Sequence, residues 1–461
     1  MANELFTTLN SFVEGKLNNP ELTQGSEFNY YKVVQHALVY SHSEATNKLI
    51  SNRIGKSMFE QRVLYALKGI IRKKIPTPKL KSYVIIEGGR ASVDEEGKYV
   101  SVFFHHLKSL FDKSEYSIVE NREQSELEEY DVHLSELQQL SNRALAQQEV
   151  AILRDINNVY RKIAASKRFS ESELHYISSA FHIFFEDYHR YYQLLSSSHV
   201  KIVFSESHYH KEGLIAATKQ RGIKFVELQH GLISRKDLYY VYGQHLSGWA
   251  EKALFPDKVF VFGAYWKSML LDGSEHKAED VIITGDYSYS QTKEIFGDKQ
   301  NIVFIGAQKN MGEYYVPYMQ FLLDNILPQH PEWEVWVKLH PFEKNPAQYH
   351  QLGQHPKLKI FGNESSLHHI LSVCKIQISI YSTTFYDALG YDVLNLSLQS
   401  YSQSADYAAD MVSEGIALAL KVDEDPIEKY TQVGIQSMLH REDVYAPFDP
   451  AKFKKTILGF S

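Results

Sequence analysis

The sequence predicts an α/β protein built on two doubly wound parallel sheets, with an N-terminal helical region and a helical insertion in the first sheet domain. Three observations predict it. The chain has 461 residues, 44% of them hydrophobic, which is material for two or three cores. Short apolar runs alternate with helix-period segments at the spacing of right-handed βαβ units. Polar loops rich in Gly, His, Ser and Thr follow several apolar runs, at the strand ends where open α/β sheets handle ligands.

Residues 1–80 read as helical and polar, with apolar residues at helical spacing over Tyr31 to Tyr40 and Met58 to Ile71. They end in a basic, proline-broken run, Lys68 to Lys81, which is either a peripheral contact for an anionic membrane face or a solvated helix end. The first sheet domain is expected over 81–290. Its first strand, Lys81 to Ile86, opens into Gly88-Gly89, where backbone can approach an acceptor in a cleft. Tyr99 to Leu110 reads as a helix and Ser117 to Glu120 as a strand. From about 122 to 196 the chain is charged, helix-periodic and free of Pro and Gly, which predicts the insertion. Its aromatic stripe, Phe181, Phe184, Phe185, Tyr188, Tyr191 and Tyr192, reads as helix core.

Strands at 201–205, 223–228, 258–262 and 281–284 complete this domain, with helices at about 211–221 and 264–271. A polar stretch near 286–300 marks the boundary. The second sheet domain, 291–446, has strands at 301–305, 334–339, 358–361, 376–380, 393–398 and 416–420, with helices between them. Residues 447–461 are expected to cross back onto the first domain.

Composition narrows the function. With 49 basic and 56 acidic residues the net charge is −7, which argues against a general nucleic-acid binder. The single cysteine, Cys374, excludes a disulfide framework and a Cys-based metal site and fits a reducing compartment. The first residues lack a secretory pattern and no 18-residue apolar run exists, so a cytoplasmic protein is expected. Gly-x-Gly-x-x-Gly, P-loop and Gly-x-Ser-x-Gly patterns are all absent, and among 21 histidines His208-Tyr209-His210 is a candidate metal pair whose i, i+2 spacing more often just lines a loop. No cofactor and no metal are expected.

Four strand-end loops carry the chemistry. In Gln229-His230-Gly231 a neutral imidazole is placed to accept a proton, with Glu206 at the end of the neighbouring strand to orient it. Gly231 is read as allowing a tight turn. Gly306 and Gln308 follow the first strand of the second domain, where backbone N–H groups can meet a phosphate. Lys338 and His340, at period two and stopped by Pro341, direct a cation and an imidazole at one cleft. Ser382, Thr383 and Thr384 open a helix, either as its cap or as an anion site, with Asp387 one turn on.

These motifs resemble GT-B glycosyltransferases, two Rossmann-like domains facing a cleft. Among them they resemble the bacterial surface-polysaccharide enzymes: teichoic acid glycerophosphotransferases, capsule Kdo transferases and bacterial sialyltransferases. The glycerophosphotransferases' His-Gly loop is similar to His230-Gly231 and their His-Pro motif to His340-Pro341. Their Asp-Tyr-Ser-Ser-x-x-x-Asp segment resembles Ile380 to Asp387, with Ile380 for the leading Asp and Thr383 for the second Ser. The sialyltransferases' Lys-x-His-Pro pattern is met by Lys338 to Pro341. Their acidic motif has only a partial counterpart at Ile86-Glu87-Gly88.

The resemblance implies a metal-independent transferase for capsule, lipopolysaccharide or teichoic-type polymers. A sugar or polyol phosphate would move from a CMP-, CDP- or UDP-type donor, held by the second domain, to a hydroxyl of a glycan or glycolipid. Two other readings stand beside it: a UDP-sugar 2-epimerase, which needs acids in the cleft such as Glu206, Glu227 and Asp286, and a non-catalytic sugar-binding scaffold.

Overall fold

The computed structural model describes residues 26–41, 77–87, 91–93, 99–101, 104–120, 130–140, 143–196, 199–233, 239–240, 252–273, 276–286, 298–340, 343, 345–362, 365–401, 404–434 and 439–460. Gly88, Gly89, Pro341, most of Lys68 to Lys81 and most of the boundary near 290 lie outside them.

The first strand, β1 (Tyr83–Glu87), is followed by an antiparallel pair, β2 (Ala91–Val93) and β3 (Tyr99–Ser101). Then come β4 (Tyr116–Glu120), β5 (Val132–His133), β6 (Ile202–Ser205), β7 (Lys224–Leu228), β8 (Lys258–Val261) and β9 (Val281–Ile283). These form, with β1, a seven-stranded sheet ordered β5-β4-β1-β6-β7-β8-β9. The second half holds β10 (Ile302–Gly306), β11 (Glu334–Lys338), β12 (Leu358–Phe361), β13 (Ile376–Ser379), β14 (Leu394–Gln399) and β15 (Leu418–Lys421), ordered β12-β11-β10-β13-β14-β15. All pairings within these two sheets are parallel.

Helices on both faces bury the sheets, so β1 and β10 are buried along their whole length and read as unbroken apolar runs. Each sheet reverses strand order once, between β1 and β6 and between β10 and β13. The two-sheet α/β layout expected from the sequence is the observed one.

The structure corrects several local expectations. Tyr99–Ser101 is a strand, and the helix behind it starts only at His105. Pairing with Ala91–Val93 supplies backbone partners that periodicity does not register. The stretch 122–196 is not wholly helical, because Val132–His133 adds an edge strand beside β4. Its helices pack onto the sheet. Gln147–Ala165 and Glu171–Leu194 share one core with Val84, Ile86 and Val203 of the sheet and with the N-terminal helix Tyr31–Ser41.

The Glu171–Leu194 helix starts at a capping box, in which Ser170 accepts from the Glu173 amide and the Glu173 carboxylate accepts from the Ser170 amide. Its aromatic stripe is core as expected, with Tyr192 half-buried under the Arg221 guanidinium. The helix Glu212–Gln220 crosses it at Gly213, where a Cβ would lie 2.5 Å from the Phe184 carbonyl oxygen.

Among the described residues the halves meet in an apolar cluster. Tyr265, Trp266, Met269 and Leu270 from the helix Ala264–Gly273 pack there with Phe385, Tyr386, Leu389 and Met411 of the second half. The chain returns to the first half through Asp443 to Pro447. Ala446 N–H donates to the Phe262 carbonyl at 2.8 Å, and Asp286 N–H donates to the Ala446 carbonyl at 2.9 Å. The helix Pro450–Leu458 then sets Phe453 edge-on to Phe260, 5.2 Å between ring centres.

Candidate functional site

In the first half the polar residues gather at the C-terminal ends of β6 and β7. Strand alternation and the bend at Glu206 bring Ser205, Glu206, His208 and Lys211 beside Glu227 and Gln229. All but the partly buried Lys211 are more than nine-tenths buried. His208 Nδ1 bonds Glu227 Oε2, and its Nε2 lies 2.8 Å from the Tyr239 carbonyl. Tyr240 Oη donates to Glu227 Oε1 at 2.5 Å. Burial opposes charge on both partners, yet the pairing prevails: His208 is raised above its ordinary value and Glu227 is held below its own.

Lys211 Nζ donates to Ser205 Oγ at 2.5 Å and to the Ser207 carbonyl at 2.7 Å. Burial lowers its proton affinity, while the Glu206 and Glu227 charges act against that. The N-terminal helix reaches the same place. His36 Nδ1 meets Glu212 Oε1 at 2.9 Å, and this outweighs burial and holds the Glu212 carboxyl down at about 2. His210 has a left-handed backbone, φ 56°, uncommon outside Gly and Asn, and it meets the Tyr239 hydroxyl at 2.7 Å.

His230 sits in this neighbourhood. Its ring stands edge-on to Tyr209 at 5.1 Å, and a proton taken up by it would favour the ionised form of Glu227. The sequence reading gave the orienting role to Glu206. In the structure Glu227 is bonded to the imidazole of His208 and Glu212 to that of His36. Gln229 has a scaffolding position. Its side chain donates to the Gly231 carbonyl at 2.8 Å and accepts from Phe262 N–H at 2.9 Å, tying the His230 loop to the end of β8. Gly231 has no left-handed φ, and a Cβ there would meet nothing within 4 Å, so the turn does not demand glycine.

In the second half the reversal between β10 and β13 is closely bonded. Ser379 Oγ donates to the Gly306 carbonyl at 2.7 Å, and Gln308 Oε1 accepts from Tyr315 Oη at 3.0 Å and from Tyr381 N–H at 3.2 Å. A Cβ on Gly306 would sit 3.3 Å from Thr384 Oγ1, and that hydroxyl accepts from the buried Gln377 amide. Gly306, Gln308 and Thr384 are therefore brought together. Ser382 Oγ accepts from Thr384 N–H at 3.3 Å, while Thr383 makes no side-chain cap.

The helix expected after these hydroxyls is a single turn, Thr384–Asp387, too short for a substantial dipole. Lys338 Nζ donates to the Gly362 carbonyl at 2.6 Å, beyond the end of β12, so the amine is turned toward the sheet edge. His340 lies two residues on and is half-buried. Asp387 faces the returning chain. It accepts from Tyr445 Oη at 2.9 Å, and burial raises its carboxyl to about 6.

The two loop sets approach each other through the interface. Ile233, three residues past His230, and Phe385, one past Thr384, belong to the same buried apolar cluster. The sequence reading missed the His208–Glu227–Tyr240 unit. Its signals in the sequence are Glu227, a carboxylate inside an apolar strand that needs a buried partner, and His208 of the His208-Tyr209-His210 pair. Among the described residues no group of three or more His, Cys, Asp or Glu is placed to hold a metal ion, and no helix is long and apolar enough to cross a membrane.

No family model and no curated protein matches the chain. Solved structures similar to it include the UDP-GlcNAc 2-epimerase of Methanocaldococcus jannaschii in complex with UDP-GlcNAc and UDP, 8% identical over 83% of this chain and 100% of that one, TM-score 0.48. The UDP-GlcNAc 2-epimerase of Neisseria meningitidis bound to UDP-GlcNAc is 12% identical over 83% and 100%, TM-score 0.48. The lipopolysaccharide outer core galactosyltransferase WaaB is 13% identical over 82% and 99%, TM-score 0.41.

Proposed function

We infer that the chain is a metal-independent transferase that moves a glycosyl or polyol-phosphate group from a nucleotide-activated donor to a hydroxyl of a glycan or glycolipid. The carrying observation is the shared apolar cluster of Ile233 and Phe385, which joins the imidazole loop of one sheet to the hydroxyl loop of the other. A donor held near Gly306, Gln308, His340 and the Ser382–Thr384 hydroxyls would present its reactive carbon or phosphorus toward His230. Lys338 would offset charge on the leaving phosphate once a ligand draws it from Gly362.

His230 would remove the acceptor proton, with the Glu227 carboxylate favouring that transfer electrostatically. Pro341 on the donor side and Gly88-Gly89 on the acceptor side lie outside the described residues and enter this reading from the sequence alone. Asp387, bonded to Tyr445, serves the crossover instead of the donor. Epimerisation of a UDP-sugar is less well supported, since Glu227, one of the acids it needs, is bonded to His208 and Tyr240.

Thermal unfolding with CMP, CDP, UDP and GDP and their sugars tests the reading. One nucleotide at 100 times its Kd should stabilise the fold by about 2.7 kcal/mol. No stabilisation by any of them removes the transferase reading. Conversion of a nucleotide sugar without acceptor would replace it with epimerisation.

A further inference from the structure

Both ring nitrogens of His208 face acceptors. Nδ1 meets the Glu227 carboxylate and Nε2 meets the Tyr239 carbonyl. A neutral imidazole has one donor, so it satisfies one of these contacts, whereas an imidazolium satisfies both. Glu227 accepts a further hydrogen bond from Tyr240 Oη, as an ionised carboxylate does.

The charged groups around the pair come from several elements. They include Glu206 after β6, Lys211 beside Glu227 and Glu212 at the start of its helix, with the titratable imidazoles of His230 beyond β7 and His276 before β9. His276 is pushed down to about 4 by burial and by the His208 charge, so the cluster keeps one imidazole charged and another neutral.

The bonds of this pair fall on the chain that carries His230. Gln229 holds that loop at its start, through the Gly231 carbonyl and Phe262 N–H. Further along the chain, His208 bonds the Tyr239 carbonyl and Glu227 the Tyr240 hydroxyl. Tyr209, next to His208, stacks on Tyr239 at 3.8 Å and stands edge-on to His230.

We propose that His208 is a positioning residue: a buried imidazolium, paired with Glu227, that together with it docks Tyr239 and Tyr240 beside His230 and takes no proton in turnover. The protonation state and the docking stand on geometry alone. The effect on turnover rests on the transferase reading.

Nitrogen-15 imidazole NMR of the full chain tests the first part. The His208 signal is identified by its response to Tyr240→Phe, a mild change that leaves the pair in place. Both His208 nitrogens should show imidazolium shifts from pH 6 to pH 8, and one unprotonated nitrogen at pH 7.5 overturns the proposal. In His208→Gln, amide exchange over 226–242 should speed up at least ten-fold, and unchanged exchange likewise overturns it.

Turnover separates this proposal from the function it rests on. In His208→Gln, kcat should fall by roughly 10²-fold, the scale of a displaced catalytic group. Nucleotide-induced stabilisation should stay, and so should the acid limb of the pH profile, which belongs to His230. An altered acid limb would make His208 the titrating base and sink the positioning role. If no nucleotide or acceptor supports turnover, the NMR and exchange results still decide the protonation and docking.

Discussion

The hydroxyl of Tyr265, on the helix after β8, donates to the Glu414 carboxylate of the second half at 2.5 Å, and its ring packs beside Tyr386. This bond spans the interface between the two sheets. Tyr265→Phe keeps the ring and removes the donor, so it should lower stability by about 1–2 kcal/mol, the scale of a bond to a charged group that is half exposed to water. Urea unfolding measures this. A loss below about 0.3 kcal/mol would show that the interface is held by apolar packing alone.

The two sides of the proposed site should separate by mutation. His230→Ala is expected to abolish turnover while nucleotide-induced stabilisation persists. Lys338→Met should weaken nucleotide binding about ten-fold, equivalent to about 1.4 kcal/mol. Titration calorimetry and steady-state rates check both. Unchanged turnover in His230→Ala would remove its role as base.

Two glycines should respond oppositely to a methyl group. A Cβ at Gly213 would meet Phe184 and Tyr188 backbone at 2.5 and 2.7 Å, and backbone gives way poorly. Gly213→Ala should cost about 2–3 kcal/mol by overpacking the helix crossing. Gly231→Ala enters open space, so stability should hold or rise by up to about 1 kcal/mol. Thermal unfolding of both variants tests the contrast.

Asp387 predicts a pH dependence at the crossover. Its carboxyl is raised from 3.8 to about 6 by burial, so the folded state holds that proton more tightly than the unfolded chain. The stability this contributes is full below about pH 4 and is lost as pH rises through about 6. Asp387→Asn keeps an acceptor for Tyr445. Relative to the parent it should gain about 2 kcal/mol between pH 4.5 and pH 7.5, less than the full linkage value because the side chain is only partly buried. A flat difference across that range would mean that Asp387 is already ionised at pH 4.5.

The sequence by itself determined the two sheets and the strand ends that carry polar loops. β-branched and aromatic runs such as Tyr83 to Glu87 and Ile302 to Gly306 leave no alternative to buried strands, and helix-period segments between them force parallel pairing. Only the tertiary structure decided which side chains meet. It placed Val132–His133 in the sheet and packed the 147–194 helices into one core with it. It also paired Glu227 with His208 and left Gly231 without a conformational demand. The physical reason is one of range. Period-two and period-3.6 patterns report burial along the chain, but hydrogen bonds between residues such as His208 and Glu227, 19 apart, depend on which strands lie side by side.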